Sequence, residues 1–350
     1  MRILSVVGAR PQFVKLAPIA HAIAGRAEHV IVHTGQHYDE LMSDVFFRDL
    51  NIPSPDLNLA VGSGSHGAQT ATMLAGLEPV FERYAPDVVL VYGDTNSTLA
   101  AAIAAVKLHR RLAHLEAGLR SYNRRMPEEH NRVLTDHAAD LCLAPTAVAM
   151  AHLRDEGLES RSILVGDVMT DVLFQVRDRV RAAPPQLPGD ASAEEYYIAT
   201  LHRPDNTDDP VRLRQIAQQL AAADKPVLLL VHPRLERFSM EHGIDLRQGA
   251  IHPIAPLPYP ALVHAVDHAA GVITDSGGLQ KEAFLLRTPC TTVRSETEWT
   301  ETLENEWNVL VGDDLGRIGE AIRRPLPSPT ASTPFGDGHA AERVVDSLLS

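Results

Sequence analysis

Carboxylates and arginines are concentrated in one stretch of the chain, residues 114–132, with the sequence HLEAGLRSYNRRMPEEHNR. The apolar run 112–115 predicts a short buried strand. Glu116 then falls at the carboxyl end of that strand, the edge where open α/β sheets bind their ligands. Because carboxylates transfer protons and arginines bind anions, the stretch predicts a site that handles both.

The glutamates Glu128 and Glu129 follow Pro127, and the three residues predict the first turn of a helix. Proline suits the first helical position, and acids suit the positive end of the helix dipole. Helix capping alone would explain both glutamates. It is the stronger explanation for Glu129, whereas Glu128 could equally be catalytic, and the local pattern leaves that choice open.

A further acid follows the predicted strand 88–92, in the sequence GDTNST. Asp94 lies on the turn, with Thr95 or Asn96 available to cap the next helix, and aspartate at such a turn is often only a cap. Yet Asp94 and Glu116 both follow strands of one predicted domain. They could therefore share a crevice and serve as general acid and general base.

The first predicted strand, 3–7, leads into the sequence GARPQFVKLAP. Pro11 is typical of a helix start, and Arg10 and Lys15 flank the first turns of that helix. A phosphate could bind there through the helix N-terminus and the two cations. Exposure to solvent is the alternative explanation, and it is stronger for Lys15 than for Arg10.

In the second half of the chain, the predicted strand 272–274 leads into DSGGLQKEA. The run Ser276, Gly277 and Gly278 predicts a helix start with unobstructed backbone N–H groups, which suits an anion. Glu282 lies about one turn further on, where it could accept hydrogen bonds from a ribose. A purely structural turn is the alternative, but anion binding is favoured.

Two histidines, His202 and His232, directly follow the predicted strands 197–201 and 227–231. Each could simply be hydrogen-bonded, as a lone histidine usually is. His130 and His137 are seven residues apart, too far for a helical zinc motif, and the sequence has no Cys/His cluster. The glycines at 62, 64 and 67 match a dinucleotide pattern but lie outside the first βα unit. We therefore predict no metal and no cofactor.

Length and charge narrow the class of protein. A chain of 350 residues favours two domains. The net charge of −13 argues against a nucleic-acid partner, because such proteins carry a basic surface. The two cysteines lie far apart in apolar runs, and no segment resembles a signal peptide or a membrane span. We expect a cytoplasmic protein with no membrane association.

Short apolar runs alternate with helical patterns, which predicts βαβ units and parallel sheets. We predict an α/β fold of two Rossmann-like, doubly wound domains, an N-terminal one over residues 1–168 and a C-terminal one over 169–335. A last helix within 336–350 could pack back on the first domain. Eleven strands are predicted, at 3–7, 30–34, 88–92, 112–115, 141–144, 163–165, 197–201, 227–231, 272–274, 291–293 and 309–311.

Six motifs in order along the whole chain resemble those of the non-hydrolysing UDP-N-acetylglucosamine 2-epimerases. They are GARPQFVKLAP, TGQHYDELM, GDTNST, HLEAGLRSYNRRMPEEHNR, THRPDN and DSGGLQKEA. Two positions depart from the pattern. Asp205 replaces the family's more frequent glutamate, and Tyr38 stands where members with an activating second substrate site commonly have arginine.

The resemblance implies a glycosyltransferase-B type of fold, with a nucleotide sugar in the cleft between the domains and UDP mostly against the second one. It implies elimination of UDP to a 2-acetamidoglucal and its re-addition with C2 inverted, without metal or nicotinamide. A homodimer is also implied. The implied catalytic residues are Asp94, Glu116, Glu128 and His202, and the implied substrate-binding residues are Arg10, Lys15, Arg132, Ser276, Gly277, Gly278 and Glu282.

Several functions fit this resemblance. The substrate could be UDP-N-acetylglucosamine or, by the same chemistry, UDP-2,3-diacetamido-2,3-dideoxyglucuronate, whose carboxylate would need a cation such as Arg120, Arg124 or Arg125. A hydrolysing relative, a UDP-sugar glycosyltransferase and a silent nucleotide-sugar binding module compete with these two epimerases. The three acids argue against a transferase, which has no need to exchange a C2 proton.

Overall fold

The computed structural model describes residues 1–36, 53–187 and 196–350, without the side chain of Arg10. The described chain forms two compact units. The first comprises Met1–Val172 and Thr333–Ser350, and the second comprises Leu173–Ser332. Each unit is built on its own parallel sheet.

The described part of the first unit contains a seven-stranded sheet in the order β3-β2-β1-β4-β5-β6-β7. Its strands are β1 Arg2–Val7, β2 Glu28–His33, β3 Leu57–Asn58, β4 Val88–Tyr92, β5 Arg111–Leu115, β6 Leu141–Ala144 and β7 Ser162–Leu164. Its helices are α1 Arg10–Ile23, α2 His66–Tyr84, α3 Asn96–Lys107, α4 Pro127–Ala138, α5 Ala147–Asp155 and α6 Val168–Ala182, with a 3₁₀ turn at Glu159–Arg161. The α6 helix continues into the second unit.

Apolar runs become strands here because both faces of the sheet are covered by helices. Successive residues of β1 point to opposite faces, so Ile3 and Leu4 belong to different hydrophobic clusters. Ile3 packs in the cluster that contains Phe13 of α1, and Leu4 in the one that contains Phe81 of α2. Two such cores leave the strand ends as the places where polar side chains reach solvent.

The second unit contains a six-stranded sheet in the order β10-β9-β8-β11-β12-β13 within its described residues. Its strands are β8 Tyr197–Thr200, β9 Val227–Leu230, β10 Ile251–Ile254, β11 Gly271–Thr274, β12 Cys290–Thr292 and β13 Asn308–Leu310. Its helices are α7 Pro204–Thr207, α8 Pro210–Ala221, α9 Pro233–Glu241, α10 Tyr259–Asp267, α11 Gly277–Leu285 and α12 Ile318–Ile322. Two 3₁₀ segments lie at Thr300–Glu306 and Leu315–Arg317.

The predicted α/β class and the eleven predicted strands are confirmed, with ends that differ by at most two residues. Two strands were not predicted. The β3 strand has only two residues, too few to show a pattern. The β10 strand reads IHPI, and Pro253 interrupts its apolar run. Proline is tolerated there because β10 lies at the edge of the sheet.

The last helix, α13 Ala340–Leu349, belongs to the first unit. Its Val344, Val345 and Leu348 are buried in the same cluster as Phe13. The helix has no side-chain cap of its own. Instead, the Asp171 carboxylate of α6 accepts hydrogen bonds from the backbone N–H groups of Ala340 and Ala341, at 3.0 and 2.7 Å. One carboxylate thus satisfies two N–H groups that helix geometry leaves unpaired.

We predict that Asp171→Ala loosens α13 by about 1–2 kcal/mol, because it removes the cap from these two N–H groups. Amide hydrogen exchange of residues 340–349, followed by mass spectrometry, should accelerate by roughly tenfold, as 1.4 kcal/mol corresponds to a factor of ten. The matched control is Asp178→Ala on the exposed face of the same helix, where exchange should not change. Equal acceleration in both variants would contradict the capping role.

Candidate active site

In the first sheet, the strand order reverses between β1 and β4, and ligands of such sheets bind at this switch point. Gln12 of α1 fastens the two strand ends together. Its Oε1 accepts hydrogen bonds from the N–H groups of Gly8 and Ala9, at 2.8 and 3.0 Å. Its Nε2 donates to the Tyr92 carbonyl at 2.7 Å and to Thr98 Oγ1 at 3.0 Å. The start of α1 and the turn after β4 are therefore held side by side.

Glu116 follows β5 directly and has a φ of +72°, in the left-handed region that non-glycine residues rarely adopt. Its carboxylate forms an ion pair with Lys15 of α1, and both side chains are largely buried, 13% and 12% exposed. Burial alone would lower the pKa of Lys15, but Glu116 outweighs it and raises that pKa above its ordinary value. The left-handed backbone and the paired cation fix the Glu116 carboxyl group at the strand end.

Asp94 forms an ion pair with Arg132 of α4, whose side chain also binds Glu129 at 3.0 Å. The neighbouring Asn131 donates from Nδ2 to the backbone carbonyl of Asp94 at 2.9 Å. The Asp94 side chain is 32% exposed, so one part of the carboxylate faces solvent while the other is held by a cation. Helix α4 therefore positions the acid on the turn after β4.

The turn that carries Asp94 packs directly against the Lys15–Glu116 pair. Gly93 has a φ of +60°, and a methyl group placed on it would lie 3.2 Å from Glu116 Oε2 and 3.4 Å from Lys15 Nζ. Asp94 also contributes to the raised pKa of Lys15, after burial and Glu116. The structure thus brings Asp94, Glu116 and Lys15 into one crevice at the carboxyl edge of the sheet.

The two glutamates of α4 have different surroundings. Glu129 is buried and accepts hydrogen bonds from the Ser121 N–H, the Ser121 hydroxyl and the Tyr122 N–H, each at 2.9 Å. Burial would raise its pKa, but these bonds and Arg132 outweigh it and lower that pKa. Glu129 therefore orders the preceding loop and does not cap its own helix. Glu128 is half-buried, and its side chain forms no ion pair or hydrogen bond with any other described residue.

In the second unit, a cavity of about 360 Å³ lies where the strand order reverses between β8 and β11. Its polar lining includes His202, His232, Tyr259, Ser276, Gly278 and Glu282. Leucines, among them Leu201 and Leu257, line the rest. An apolar wall with a few convergent polar groups is typical of a small-molecule site.

Asp275, which the sequence analysis did not single out, is fully buried at the end of β11. It lies 3.0 Å from His202 Nδ1 and accepts hydrogen bonds from the N–H groups of His202 and Arg203 and from Asn206 Nδ2. Burial would raise the pKa of Asp275, but these bonds, first that of His202, hold it below its ordinary value. Asp275 thus orients the His202 ring. Asp275 follows a buried strand, as Asp94 and Glu116 do, and this position could have identified it from the sequence.

Helix α11 begins with the predicted anion-binding residues. Ser276 is its N-cap and accepts from the Leu279 N–H at 3.4 Å. A methyl group on Gly277 would lie 2.2 Å from Glu298 Oε1, the end of a side chain that is 38% exposed, so that carboxylate would have to move. A methyl group on Gly278 would meet only Ser276 Oγ, at 3.9 Å. The N-terminus of α11 is therefore open on the side of Gly278, which lines the cavity.

Glu282 lines the same cavity and accepts a hydrogen bond from the Tyr259 hydroxyl at 3.0 Å. Burial raises the pKa of Glu282 to about 7, although the hydrogen bond from Tyr259 and the charge of Lys281 act against it. A carboxyl group with this pKa can accept or donate hydrogen bonds near neutral pH. This suits the hydroxyl groups of a ribose, which can do both.

The three arginines that could bind a sugar carboxylate differ sharply in their surroundings. Arg120 is buried, with Nε and Nη2 each 2.7 Å from the Glu156 carboxylate and Nη1 2.7 Å from Asp136 Oδ2. The expectation that it could bind substrate is therefore wrong. Arg124 and Arg125 are exposed and line a cavity of about 630 Å³ in the first unit.

Some residues named from the sequence lie outside the described part. The side chain of Arg10 does, and so does the segment 37–42 of the TGQHYDELM motif, with Tyr38. Within residues 1–36, 53–187 and 196–350, no three His, Cys, Asp or Glu side chains form a group able to hold a metal ion. No helix in those ranges has the length and hydropathy needed to cross a membrane.

The chain is similar to known proteins in sequence and in fold. A UDP-2,3-diacetamido-2,3-dideoxy-D-glucuronate 2-epimerase from Pseudomonas aeruginosa is 44% identical over 99% of either chain. A UDP-N-acetylglucosamine 2-epimerase homolog from Methanococcus maripaludis is 42% identical, also over 99% of either chain. The Methanocaldococcus jannaschii UDP-GlcNAc 2-epimerase, solved in complex with UDP-GlcNAc and UDP, matches with a TM-score of 0.83 and 38% identity over 100% of this chain and 99% of that one.

The resemblance inferred from six motifs is thus confirmed, as is the α/β fold of glycosyltransferase-B type. Residues 21–349 match the family of UDP-N-acetylglucosamine 2-epimerases as a whole. With this match, the identities above 40% and the shared fold, the chain belongs to the UDP-N-acetylglucosamine 2-epimerase family.

Proposed function

We propose that this chain interconverts UDP-N-acetylglucosamine and UDP-N-acetylmannosamine by eliminating UDP and adding it back. The observation that carries the proposal is the crevice of the first unit, where Asp94 and Glu116 are each paired with a cation. The family supports the activity, and so do its relatives, which are named as UDP-N-acetylglucosamine 2-epimerases or homologs of them. The cavity of the second unit supplies a place for the nucleotide.

The chemistry needs acids because the C2 hydrogen of the sugar is only weakly acidic. A carboxylate removes the C2 proton, the C2–H electron pair forms the C1=C2 double bond, and the C1–O bond breaks with its electrons leaving on UDP. The product is a 2-acetamidoglucal. Return of a proton to the other face of C2, with re-formation of the C1–O bond, gives the epimer. No oxidant or reductant is consumed.

Inversion at C2 requires that one proton leaves one face of the ring and another arrives on the opposite face. One group fixed on one side cannot do both for a substrate that stays in place, so two proton carriers are needed. We infer that Glu116 or Asp94 exchanges the C2 proton, and that Glu128 and His202 assist. Lys15 is paired with Glu116 and Arg132 with Asp94, so each of these acids has a cation beside it.

Departure of UDP requires positive charge at the phosphates. We propose that the open N-terminus of α11, with Ser276 and Gly278, binds the diphosphate. His202 lines the same cavity and is oriented by Asp275 through Nδ1, so a ring protonated on both nitrogens can donate from Nε2 to a phosphate oxygen. Arg10, Lys15, Arg132 and Gly277 stay predicted binding residues on the strength of the motifs, and a homodimer stays a prediction as well.

The test is incubation with UDP-N-acetylglucosamine in heavy water, without added metal or cofactor, followed by proton NMR. Epimerisation predicts loss of the C2 proton signal and growth of the UDP-N-acetylmannosamine anomeric signal. Release of UDP with free N-acetylmannosamine would indicate a hydrolysing enzyme instead. If neither C2 exchange nor hydrolysis occurs with any substrate tried, a transferase or a silent binder becomes the better explanation.

A second substrate is favoured by one specific observation. The Pseudomonas aeruginosa relative is named for UDP-2,3-diacetamido-2,3-dideoxy-D-glucuronate. Arg124 and Arg125 form no ion pairs with other described residues and line the cavity that also contains Asn96 and Asn131, beside the Asp94 turn. A carboxylate at C6 could bind these arginines. The same NMR experiment with the uronate, run in parallel, decides between the two substrates by their rates of C2 exchange.

We predict that Glu116→Gln and Asp94→Asn each slow C2 exchange by about 10²–10⁴-fold, the usual contribution of general acid–base catalysis. UDP affinity, measured by calorimetry, should change far less than the exchange rate, because the proposed diphosphate site lies in the other unit. The control is Glu82→Gln, an exposed carboxylate of α2, which should leave both quantities unchanged. Unchanged exchange in Glu116→Gln would overturn the role of Glu116.

We also predict a pH-dependent stability that comes from Glu282. Its pKa is raised from 4.5 to about 7 in the folded unit. The folded unit therefore binds this proton more tightly than the unfolded chain. The resulting stabilisation is complete below pH 4.5 and is lost as the pH rises through 7. Glutamine cannot ionise, so the stability of Glu282→Gln does not fall in this way. Its free energy of unfolding should rise relative to that of the natural chain between pH 4.5 and about 7, and the difference should stay constant above pH 7.

The measurement is urea unfolding followed by tryptophan fluorescence. It reports on the second unit, because both tryptophans of the chain, Trp299 and Trp307, belong to it. The exposed Glu320→Gln is the control and should show no such pH dependence. Tyr259→Phe removes the hydrogen bond that lowers the pKa of Glu282. It should therefore raise that pKa further and extend the pH range over which stability falls. If the free energies of unfolding of Glu282→Gln and of the natural chain differ by the same amount at all pH values, the raised pKa of Glu282 is refuted.

A further inference from the structure

Behind the acids of the first unit lies a cluster of charged side chains that the proposed reaction does not use. His114 of β5, Asp136 of α4 and Arg120 form it, and the side chains of all three are no more than 1% exposed. His114 Nδ1 lies 2.6 Å from Asp136 Oδ1, and Arg120 Nη1 lies 2.7 Å from Asp136 Oδ2. Such a cluster is costly to bury unless its hydrogen bonds are complete.

The partners of the His114 ring decide its protonation. On the far side of the ring, Nε2 lies 2.7 Å from the backbone carbonyl oxygen of Gly93, which can only accept. Asp136 accepts as well, because its Oδ2 receives Arg120 Nη1 at 2.7 Å and the N–H of Gly118 at 3.0 Å, two donors that suit a carboxylate. These contacts are independent of the His114 ring. Both ring nitrogens therefore face acceptors, and both must carry a proton.

Two contacts of this cluster, those with Gly93 and Gly118, lie close in sequence to a candidate acid. Gly93 immediately precedes Asp94 on the turn after β4. Asp136 Oδ2 also accepts from the N–H of Gly118, two residues beyond Glu116, at 3.0 Å. On α4, Glu128, Arg132 and Asp136 are spaced four residues apart and so share one face of the helix. The cluster thus joins the three elements that carry the acids.

We propose that His114 is a positioning residue for the epimerase reaction, acting as a buried imidazolium that bridges Asp136 and the carbonyl of Gly93. It fixes the Asp94 turn relative to the end of β5 and to α4. It also places a permanent positive charge behind the carboxylates. This inference rests on the proposed function, but its first test does not.

The first test is nitrogen-15 NMR of the histidine ring in the whole protein. The imidazolium predicts that both nitrogens of His114 are protonated, each with a directly bonded and slowly exchanging proton. The carboxyl carbon resonance of Asp94 should shift when the bond to Gly93 is removed. A neutral ring with a single protonated nitrogen would overturn the proposal, whatever the enzyme turns out to do.

Two variants separate the two bonds of the ring. The amide nitrogen of asparagine replaces Nδ1, so His114→Asn keeps the bond to Asp136 and loses the bond to Gly93. The amide nitrogen of glutamine replaces Nε2, so His114→Gln keeps the bond to Gly93. The Asp94 carbon resonance should therefore shift in His114→Asn and stay close to its natural position in His114→Gln.

Kinetics of C2 exchange give the functional readout. We expect kcat to fall by about 10²-fold in His114→Asn, the typical cost of a misplaced catalytic group, with KM little changed. His114→Gln should recover a large part of that loss. Equal losses in both variants, or losses that follow thermal stability alone, would show that the cluster is merely structural. If the natural chain exchanges no C2 proton, the proposed function fails, while the NMR result still decides the charge and the positioning.

Discussion

The candidate site depends on two ion pairs that the first unit holds at the carboxyl edge of its sheet. Lys15 pairs with Glu116, and Arg132 pairs with Asp94. Three of these four side chains are at most 13% exposed, and charges so sheltered from water are costly to bury unless they are paired. Since one cation comes from α1 and the other from α4, the pairs require both helices to begin at this edge.

The two units share one topological feature but place different side chains at it. In each, the strand order reverses beside the first strand, and polar residues follow the strands on either side of that point. The first unit gathers carboxylates there, and the backbone of Glu116 adopts the left-handed conformation, with a φ of +72°. The second gathers an open helix start, which suits an anion, and His202, whose ring Asp275 orients.

Much of this could be predicted from the sequence, because apolar runs and the acids that follow them are local patterns. On that basis the sequence indicates that Asp94 and Glu116 could share one crevice. What the patterns could not predict are contacts between residues far apart in the chain. Lys15 was expected to be a phosphate ligand or an exposed charge, yet it pairs with Glu116 across 101 positions. Arg120 was expected to be available to substrate, and Glu156 and Asp136 bury it.

The most direct measurement of the central claim, that the acids act while UDP leaves the sugar, uses UDP-N-acetylglucosamine with oxygen-18 in the bridge between C1 and the β-phosphorus. After partial reaction in heavy water, phosphorus NMR locates the label and proton NMR follows C2. Elimination predicts that the label moves into the non-bridging positions of the β-phosphate while deuterium enters C2. Deuterium at C2 with the label still in the bridge would show that the proton leaves without UDP and would contradict the mechanism.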